Sequence, residues 1–315
     1  MPIFEPLVFV KQLVALYERQ RTQEQRAARL ILRILKTHHV PFFIQSFQAK
    51  TPVILQSDLV VDGKKIPAIA TSFVSGCIHN KQSLLSSLIS SQRTLYDANI
   101  NFNPDCETIS RSNHYFAPSL AVAKQHIDLI LRAKNVKGTV KVKKHTHTSA
   151  NILVGNRKNP KHILFCHYDS FGPGATDNAS GTATLLALAI HHPETLKNSL
   201  LVFSGNEELS YDQPIYWGHG YRVFERRFQT QIDRAKQLLM VDCVGNGLTQ
   251  VDTSLHMIRL GLPLAGIEKH KKKVKVLYGD VEKLMQVYHS DLDTIETLTD
   301  AYLADAIRTC LKLIK

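Results

Sequence analysis

Apolar residues recur at helical spacing over residues 6–38. Leu7, Val10, Leu13, Val14 and Tyr17 mark one stretch, and Ala28, Leu30, Ile31, Ile34 and Leu35 mark a second that stops near THHVPFF. The run FFIQSF that follows predicts a strand. From about 50 to 146 the texture changes. LVVDGKKI predicts a hairpin turning on Asp62-Gly63, a pair that tolerates the positive φ of a type I′ turn. Helices are expected over 82–93 and 117–133, and a strand over TVKVKK from 139. This stretch reads as a separate small α+β module without a catalytic cluster.

From 150 onward, short apolar runs alternate with helical patterns. The runs are HILFC (162–166), SLLVFSG (199–205), LLMVDCVG (238–245) and VKVLYG (274–279). Helical patterns cover roughly 179–191, 221–236 and 299–313. Nearly continuous Leu, Ile, Val and Phe in a strand means burial on both faces. The prediction is an α/β fold with a largely parallel central sheet flanked by helices. Such sheets receive their ligands at the carboxyl ends of the strands.

Composition narrows the class. A chain of 315 residues is long enough for one large α/β domain plus an insertion. Hydrophobic content of 44%, with 12 prolines and 15 glycines, excludes a disordered or fibrous chain. Cys77, Cys106, Cys166, Cys243 and Cys310 are scattered and form no CxxC pair, which argues against a zinc ribbon or a disulfide framework. The opening MPIFEPLVFVKQLVALYERQ has no basic region ahead of its apolar runs, so no secretory signal is read. No run approaches the roughly 20 apolar residues of a membrane span. A reduced, cytoplasmic protein with no membrane attachment is expected.

The net charge of +12 invites a nucleic-acid partner. The basic residues are spread along the chain, however, apart from KHKKKVKV at 269–276. Its alternation reads as an edge strand with a solvated lysine face. No aromatic-basic stacking motif asks for nucleic acid, and none is expected as a partner.

Candidate chemistry appears where the sheet rule directs. HILFC runs into His167 and Asp169, LLVFSG into Glu207 and Glu208, LLMV into Asp242, and beyond VKVLYG comes YHSDLDTIE with His289. Each signal is weak alone. Together they gather Asp177, Glu207, Glu208 and Asp242 at one sheet edge, where mutual repulsion has to be offset. Two divalent cations do that, and two neutral imidazoles complete the shells. His167 is placed to ligate one metal, and Asp169 to accept its other ring N–H and fix the tautomer. The small residues Gly174, Ala175, Ala179, Ser180 and Gly181 give clearance for close backbone approach, then start a helix whose dipole favours ionised Asp177.

HYDS…PGATDNASG, GNEEL, MVDCVG and YHSDLDTIE resemble the dizinc aminopeptidases that share a family with glutamate carboxypeptidase, glutaminyl-cyclase-like and transferrin-receptor-like proteins. The resemblance covers 150–315 well and 15–46 loosely. It implies a discontinuous zinc peptidase domain, 1–49 and 147–315, with an inserted module at 50–146 similar in its late part to a protease-associated domain. It also implies two Zn2+ per chain and peptide substrates. Asp177 would bridge the two zincs, His167 and Asp242 would complete one site, and Glu208 and His289 the other. Glu207 would be the general base, taking the proton of a zinc-activated water and passing it to the leaving amine. Relatives also tend to carry a cis peptide after the bridging aspartate, here Asp177-Asn178.

The sequence departs from the family where Asn206 replaces an acid and the small-residue turn becomes SYDQPIYWGHGYRVF. Trp217 and His219 are candidates to face substrate from that loop. Alternatives stay open: a carboxypeptidase or N-acyl amidohydrolase on the same site, with Arg222, Arg226 or Arg227 gripping a carboxylate; a glutaminyl cyclase-type acyltransferase; and a non-catalytic binding protein. Asp at position 242, by family analogy, favours the aminopeptidase. His145 and His147 read as a surface pair, and His191-His192 as the close of the helix after Asp177.

Overall fold

The computed structural model describes residues 3–79, 84–87, 94–213 and 215–315. The chain forms two compact units. One comprises Met1–Ala49, His147–Leu284 and Asp293–Lys315, the other Lys50–Thr146 and Met285–Leu292.

The first unit is built on strands β1 (Phe42–Val61), β2 (Val136–Gly155), β3 (His162–His167), β4 (Ser199–Ser204), β5 (Gln237–Val241), β6 (Gln250–Asp252) and β7 (Val274–Tyr278). Their order is β6-β7-β5-β3-β4-β2-β1, and the chain enters and leaves the second unit within β1 and β2. The central strands β7, β5, β3 and β4 are parallel, whereas β6 and β2 flank them antiparallel. The continuous apolar runs are buried on both faces, as their composition requires.

One face packs on α1 (Pro6–Val14), α2 (Thr22–Thr37), α3 (Ser180–His191) and α5 (Asp300–Leu313), through Phe9, Leu13, Ile31, Leu186 and Cys310. The other packs on α4 (His219–Arg234) through Tyr221, Phe224 and Ile232. Pro6 opens α1 at a position where its missing N–H has no partner to lose. The helix α3 is buried along nearly its whole length, which is why it reads as apolar and small rather than amphipathic.

The lysine-rich segment corrects an expectation. Lys271–Lys273 form a 3-10 turn, and Val274 and Val276 are buried in β7, which lies inside the sheet between β5 and β6 rather than at its edge. Lys273 Nζ donates to the carbonyls of Ile232, Asp233 and Ala235 at 2.5, 2.9 and 3.0 Å, capping the end of α4. Three-residue β6 is too short to be read from sequence, so β7 looked unpartnered on that side.

In the second unit the hairpin forms as expected. Leu59–Val61 pair with Lys64–Ile66 across Asp62 (φ 45°) and Gly63 (φ 80°). A four-stranded sheet runs Ile69–Ala70, Ser119–Ala121, Asn99–Phe102, Leu84–Ser86. Both helices expected here need correction. Residues 84–86 are a strand, and the rest of 82–93 apart from Ser87 lies outside the described residues. Over 117–133 only Ile127–Arg132 is α-helical, while Leu120 and Val122 join the unit's core. Pro118 turns its predecessor away from helix, and burial on both sides takes Ser119–Ala121 into the sheet. Among the described residues, no helix is long and apolar enough to cross a membrane.

Candidate metal centre

The strands β3, β4 and β5 end at one level. Ser204 pairs with His167 and Met240 with Phe165, so Asp242, just past β5, comes level with His167. Asp177 returns to the same edge through the turn that follows Tyr168. His167 Nε2 lies 3.2 Å from Asp177 Oδ1 and 3.4 Å from Asp242 Oδ1. Donor atoms of His167, Asp177 and Glu208 lie within 4.8 Å of one another, as do those of Asp177, Asp242 and Cys243. Asp177 is common to both groups. Of the two glutamates, Glu208 enters a donor group and Glu207 does not.

Residue 169 faces His167 with both its carbonyl and its carboxylate. His167 Nδ1 is 3.2 Å from the Asp169 carbonyl oxygen and 3.6 Å from its carboxylate, so the main chain is the nearer partner. The carboxylate also accepts the amide N–H groups of Glu207 (3.0 Å) and Glu208 (2.9 Å). One buried aspartate thereby holds the turn that carries both glutamates.

The charges in this edge explain one another. Burial alone would depress His167, but Asp242, Tyr221, Asp169 and Asp177 outweigh it and hold the imidazole well above its ordinary 6.5. Burial pushes Glu207 well above 4.5, opposed by His167 and reinforced by Glu208, Asp169 and Asp242. Burial and the nearby Asp177 and Asp242 keep the Cys243 thiol protonated, and its Sγ donates to Asp242 Oδ1 at 3.4 Å. The centre is buried and rich in carboxylate, a setting that a divalent cation neutralises.

Three residues at this centre escaped the sequence reading: Cys243, Arg19 and Asp293. Asp293 accepts the amide N–H groups of Thr176 (2.8 Å) and Asp177 (2.9 Å), and burial lifts its pKa to about 6 against those two bonds. Fully buried Arg19 donates to the carbonyls of Tyr168, Pro173 and Gly174. Burial lowers it to about 10, with Asp293, Asp169, Asp177 and Glu208 pulling the other way. At neutral pH it stays charged. Asp293 sits inside YHSDLDTIE and had a signal; Arg19, one charge in a polar loop, had none.

His289 belongs to the second unit. There it is buried, its Nδ1 faces the Arg111 carbonyl at 3.1 Å, and its own carbonyl accepts the Arg111 N–H at 3.0 Å. A carbonyl can only accept, so Nδ1 is the donor in that contact.

The chain has relatives in part of its sequence and in its fold. Residues 150–254 match the model of peptidase family M28. The segment contains His167, Asp169, Asp177, Glu207, Glu208 and Asp242. The fold is similar to an aminopeptidase from Aneurinibacillus sp. strain AM-1 (19% identity, 98% of this chain and 93% of that chain, TM-score 0.64). It is also similar to the zinc aminopeptidase BSAP of Bacillus subtilis (16% identity, 98% and 94%, TM-score 0.67). A glutaminyl cyclase from an Acidobacteriales bacterium shares it as well (13% identity, 98% and 92%, TM-score 0.51). Among curated proteins none matches the chain in sequence.

Within the matched segment, the Asp177-Asn178 peptide bond is cis, as the resemblance implied. Gly181, at the start of α3, has no room for a Cβ, which would meet Asn178 Oδ1 and the Val241 carbonyl, each at 2.4 Å. The clearance read from the small residues is here for main chain and Asn178. Asn206 adopts φ 50° and donates from Nδ2 to the Leu209 carbonyl at 2.8 Å. Asparagine tolerates that left-handed conformation better than most residues, so this departure serves the turn.

The loop behind the glutamates is tied down by its own polar groups. Buried Arg222 donates to Asp212 and to the carbonyls of Trp217, Ile215 and Pro263. His219 Nδ1 faces Asp212 at 2.8 Å and its Nε2 the Gln48 carbonyl at 3.3 Å, and Trp217 Nε1 donates to the Leu260 carbonyl. Trp217, His219 and Arg222 thus have structural contacts of their own, while Arg226 and Arg227 are exposed.

Burial would raise Asp212, but hydrogen bonds from His219 and Arg222 depress it far below 3.8. Folding therefore favours its ionised form. That stabilisation is complete above the unfolded value and is lost as the pH falls through the folded one. With allowance for partial exposure, Asp212→Asn should destabilise by about 1–2 kcal/mol at pH 7. The melting-temperature gap to the parent should shrink on acidification below pH 4. A gap independent of pH would show that the carboxylate charge is not what holds the loop.

His145 is exposed, but His147 is not the surface residue expected. Its Nε2 faces Glu24 Oε2 at 3.4 Å, and Ser149 Oγ donates to the same carboxylate. Burial raises Glu24, opposed by the bond to His147. An alternating polar strand gave no sign that a helical glutamate meets one of its faces.

Proposed function

We propose that this chain is a zinc metallopeptidase, an aminopeptidase that removes N-terminal residues from peptides with two zinc ions. The carrying observation is that the Asp177 carboxylate lies within donor distance of His167, Glu208 and Asp242 alike, the central position that a ligand shared by two ions needs. Chemically the donor set fits zinc, since imidazole and carboxylate are its ordinary ligands. His167 and Asp242 with Asp177 would hold one ion; Glu208 and His289 with Asp177 would hold the other. Cys243 stays a thiol donor to Asp242 rather than a ligand.

When bound, the zinc pair acidifies a water and polarises the scissile carbonyl. Glu207 takes the proton of the attacking water and delivers it to the leaving amine. Asp169 orders Glu207 and Glu208 through their amides, and its carbonyl orients His167. The 50–146 segment is read as an inserted module, and the compact unit it forms also takes in Met285–Leu292. Arg222 is engaged within its own loop, which supports an aminopeptidase over a carboxypeptidase that would need such a cation for a terminal carboxylate.

The test is elemental analysis of purified protein with hydrolysis of aminoacyl-p-nitroanilides before and after chelation. About two zincs per chain, with activity lost to chelator and restored by Zn2+, is the expected result. Two zincs without anilide cleavage would move the substrate to carboxypeptidase or N-acyl chemistry. No bound zinc would overturn the reading.

A further inference from the structure

The loop between α1 and α2 places a positive charge where sequence gives no reason for one. Arg19 is fully buried, and among the described residues none of its hydrogen bonds goes to a carboxylate. Its Nε donates to the Tyr168 carbonyl at 2.8 Å, one terminal nitrogen to Pro173 at 2.5 Å and the other to Gly174 at 2.8 Å. These carbonyls belong to the one turn that joins His167 to Asp177. Next to Arg19, Gln20 Nε2 donates to the Ser170 carbonyl at 3.3 Å, and the Arg19 N–H points to Ser170 Oγ at 3.4 Å.

Local geometry is bent to make this possible. Tyr17 and Arg21, on either side of Arg19, hold φ of 58° and 53°, the left-handed region that non-glycine residues avoid. On the receiving side Gly174 holds φ 57°, and a Cβ there would lie 2.9 Å from the guanidinium and 2.5 Å from the Asp177 carbonyl. The opposite end of the turn is held by Asp293 through the amides of Thr176 and Asp177. The turn thus has its carbonyls on a buried cation and its last amides on a buried anion.

We propose that Arg19 is a positioning residue of the metal centre: its fork fixes the 168–174 turn and so sets the separation of His167 and Asp177. This rests on the dizinc reading above. Two effects of Arg19 oppose each other. Its charge, added to a carboxylate cluster, repels an incoming divalent ion, whereas its fork orders the ligands before the ion arrives. Three bonds from a rigid planar group outweigh a like charge that has no side-chain position among the ligands.

The experiment measures Zn2+ affinity by chelator competition, together with the visible spectrum of the Co2+-substituted protein, for wild type, Arg19→Lys and Arg19→Gln. Lysine keeps the charge and loses the fork. Loss of a supporting residue of this kind weakens metal binding about 10–100-fold. Arg19→Lys is therefore expected to bind Zn2+ at least tenfold more weakly, with an altered Co2+ spectrum, and Arg19→Gln no more tightly than lysine. An unchanged affinity and spectrum for Arg19→Lys, even with a lowered melting temperature, would overturn the inference, leaving Arg19 a fold residue. Tighter binding in Arg19→Gln would also overturn it, since charge would then dominate. Should Arg19→Lys fail to fold, Gln20→Ala, which removes only the bond to Ser170, decides: a two- to fivefold weakening supports the inference and no change sinks it. If wild type itself binds no zinc, the dizinc reading fails first, and that result is separate from any variant.

Discussion

Glu207→Gln should retain its full zinc content and lose peptide hydrolysis by about 10²–10⁴-fold, the usual contribution of a positioned general base. The substitution is nearly isosteric and leaves the scaffold alone. Asp169 holds the residue by its main-chain N–H, and its carbonyl accepts the Gly218 N–H at 2.6 Å. Neither contact involves the carboxylate. The buried side chain stands outside both donor groups, so metal content should survive its change. Its neighbour makes the internal control. Glu208→Gln alters a residue in the His167–Asp177 group and should lose zinc together with activity. Zinc analysis and kcat/KM on one aminoacyl-p-nitroanilide, measured on both variants, separate the two roles. Equal zinc loss in both would mean that Glu207 is a ligand. Hydrolysis within tenfold of wild type in Glu207→Gln would remove it as the base.

How much of this centre the sequence displays depends on how each residue is held. His167, Asp169, Asp177, Glu207, Glu208 and Asp242 follow the ends of buried parallel strands, and such strands announce themselves as unbroken apolar runs. The rule that ligands gather at their carboxyl ends then does the rest. Residues that act through long-range contact have no such herald. Arg19 sits in YERQRT, where a solvated loop and a buried clamp look alike. His147 lies on a strand whose alternation looked solvent-facing until Glu24 of α2 met it. Periodicity failed where short strands are made by burial in a sheet, as at Ser119–Ala121 and Leu84–Ser86. There three-residue elements are too short for any period to register. Asp169 shows a finer limit: the residue was legible, but its division of labour between carbonyl and carboxylate is a matter of ångströms.

Asp177→Asn should separate metal binding from folding more cleanly than any other change at this edge. On the dizinc reading Asp177 is the ligand shared by both ions, and its carboxylate lies within donor distance of His167, Glu208 and Asp242 alike, so its loss should empty both sites rather than one. Asparagine preserves shape and the amide N–H that Asp293 accepts. In metal-free protein the change removes one carboxylate from a repelling cluster and one partner of His167 Nε2, two effects of opposite sign. Parent and variant should then melt within a few degrees of each other after exhaustive chelation. Added Zn2+ should part them. A ligand present at a thousandfold excess over its Kd stabilises by about 4 kcal/mol, which for a unit of this size is a rise of roughly 10 °C. Only the parent should show that rise, and only the parent should carry zinc after dialysis. An equal rise in Asp177→Asn would dismiss Asp177 as the shared ligand. A half-sized rise with one zinc retained would assign it to a single site, and the two ions would then need another bridge.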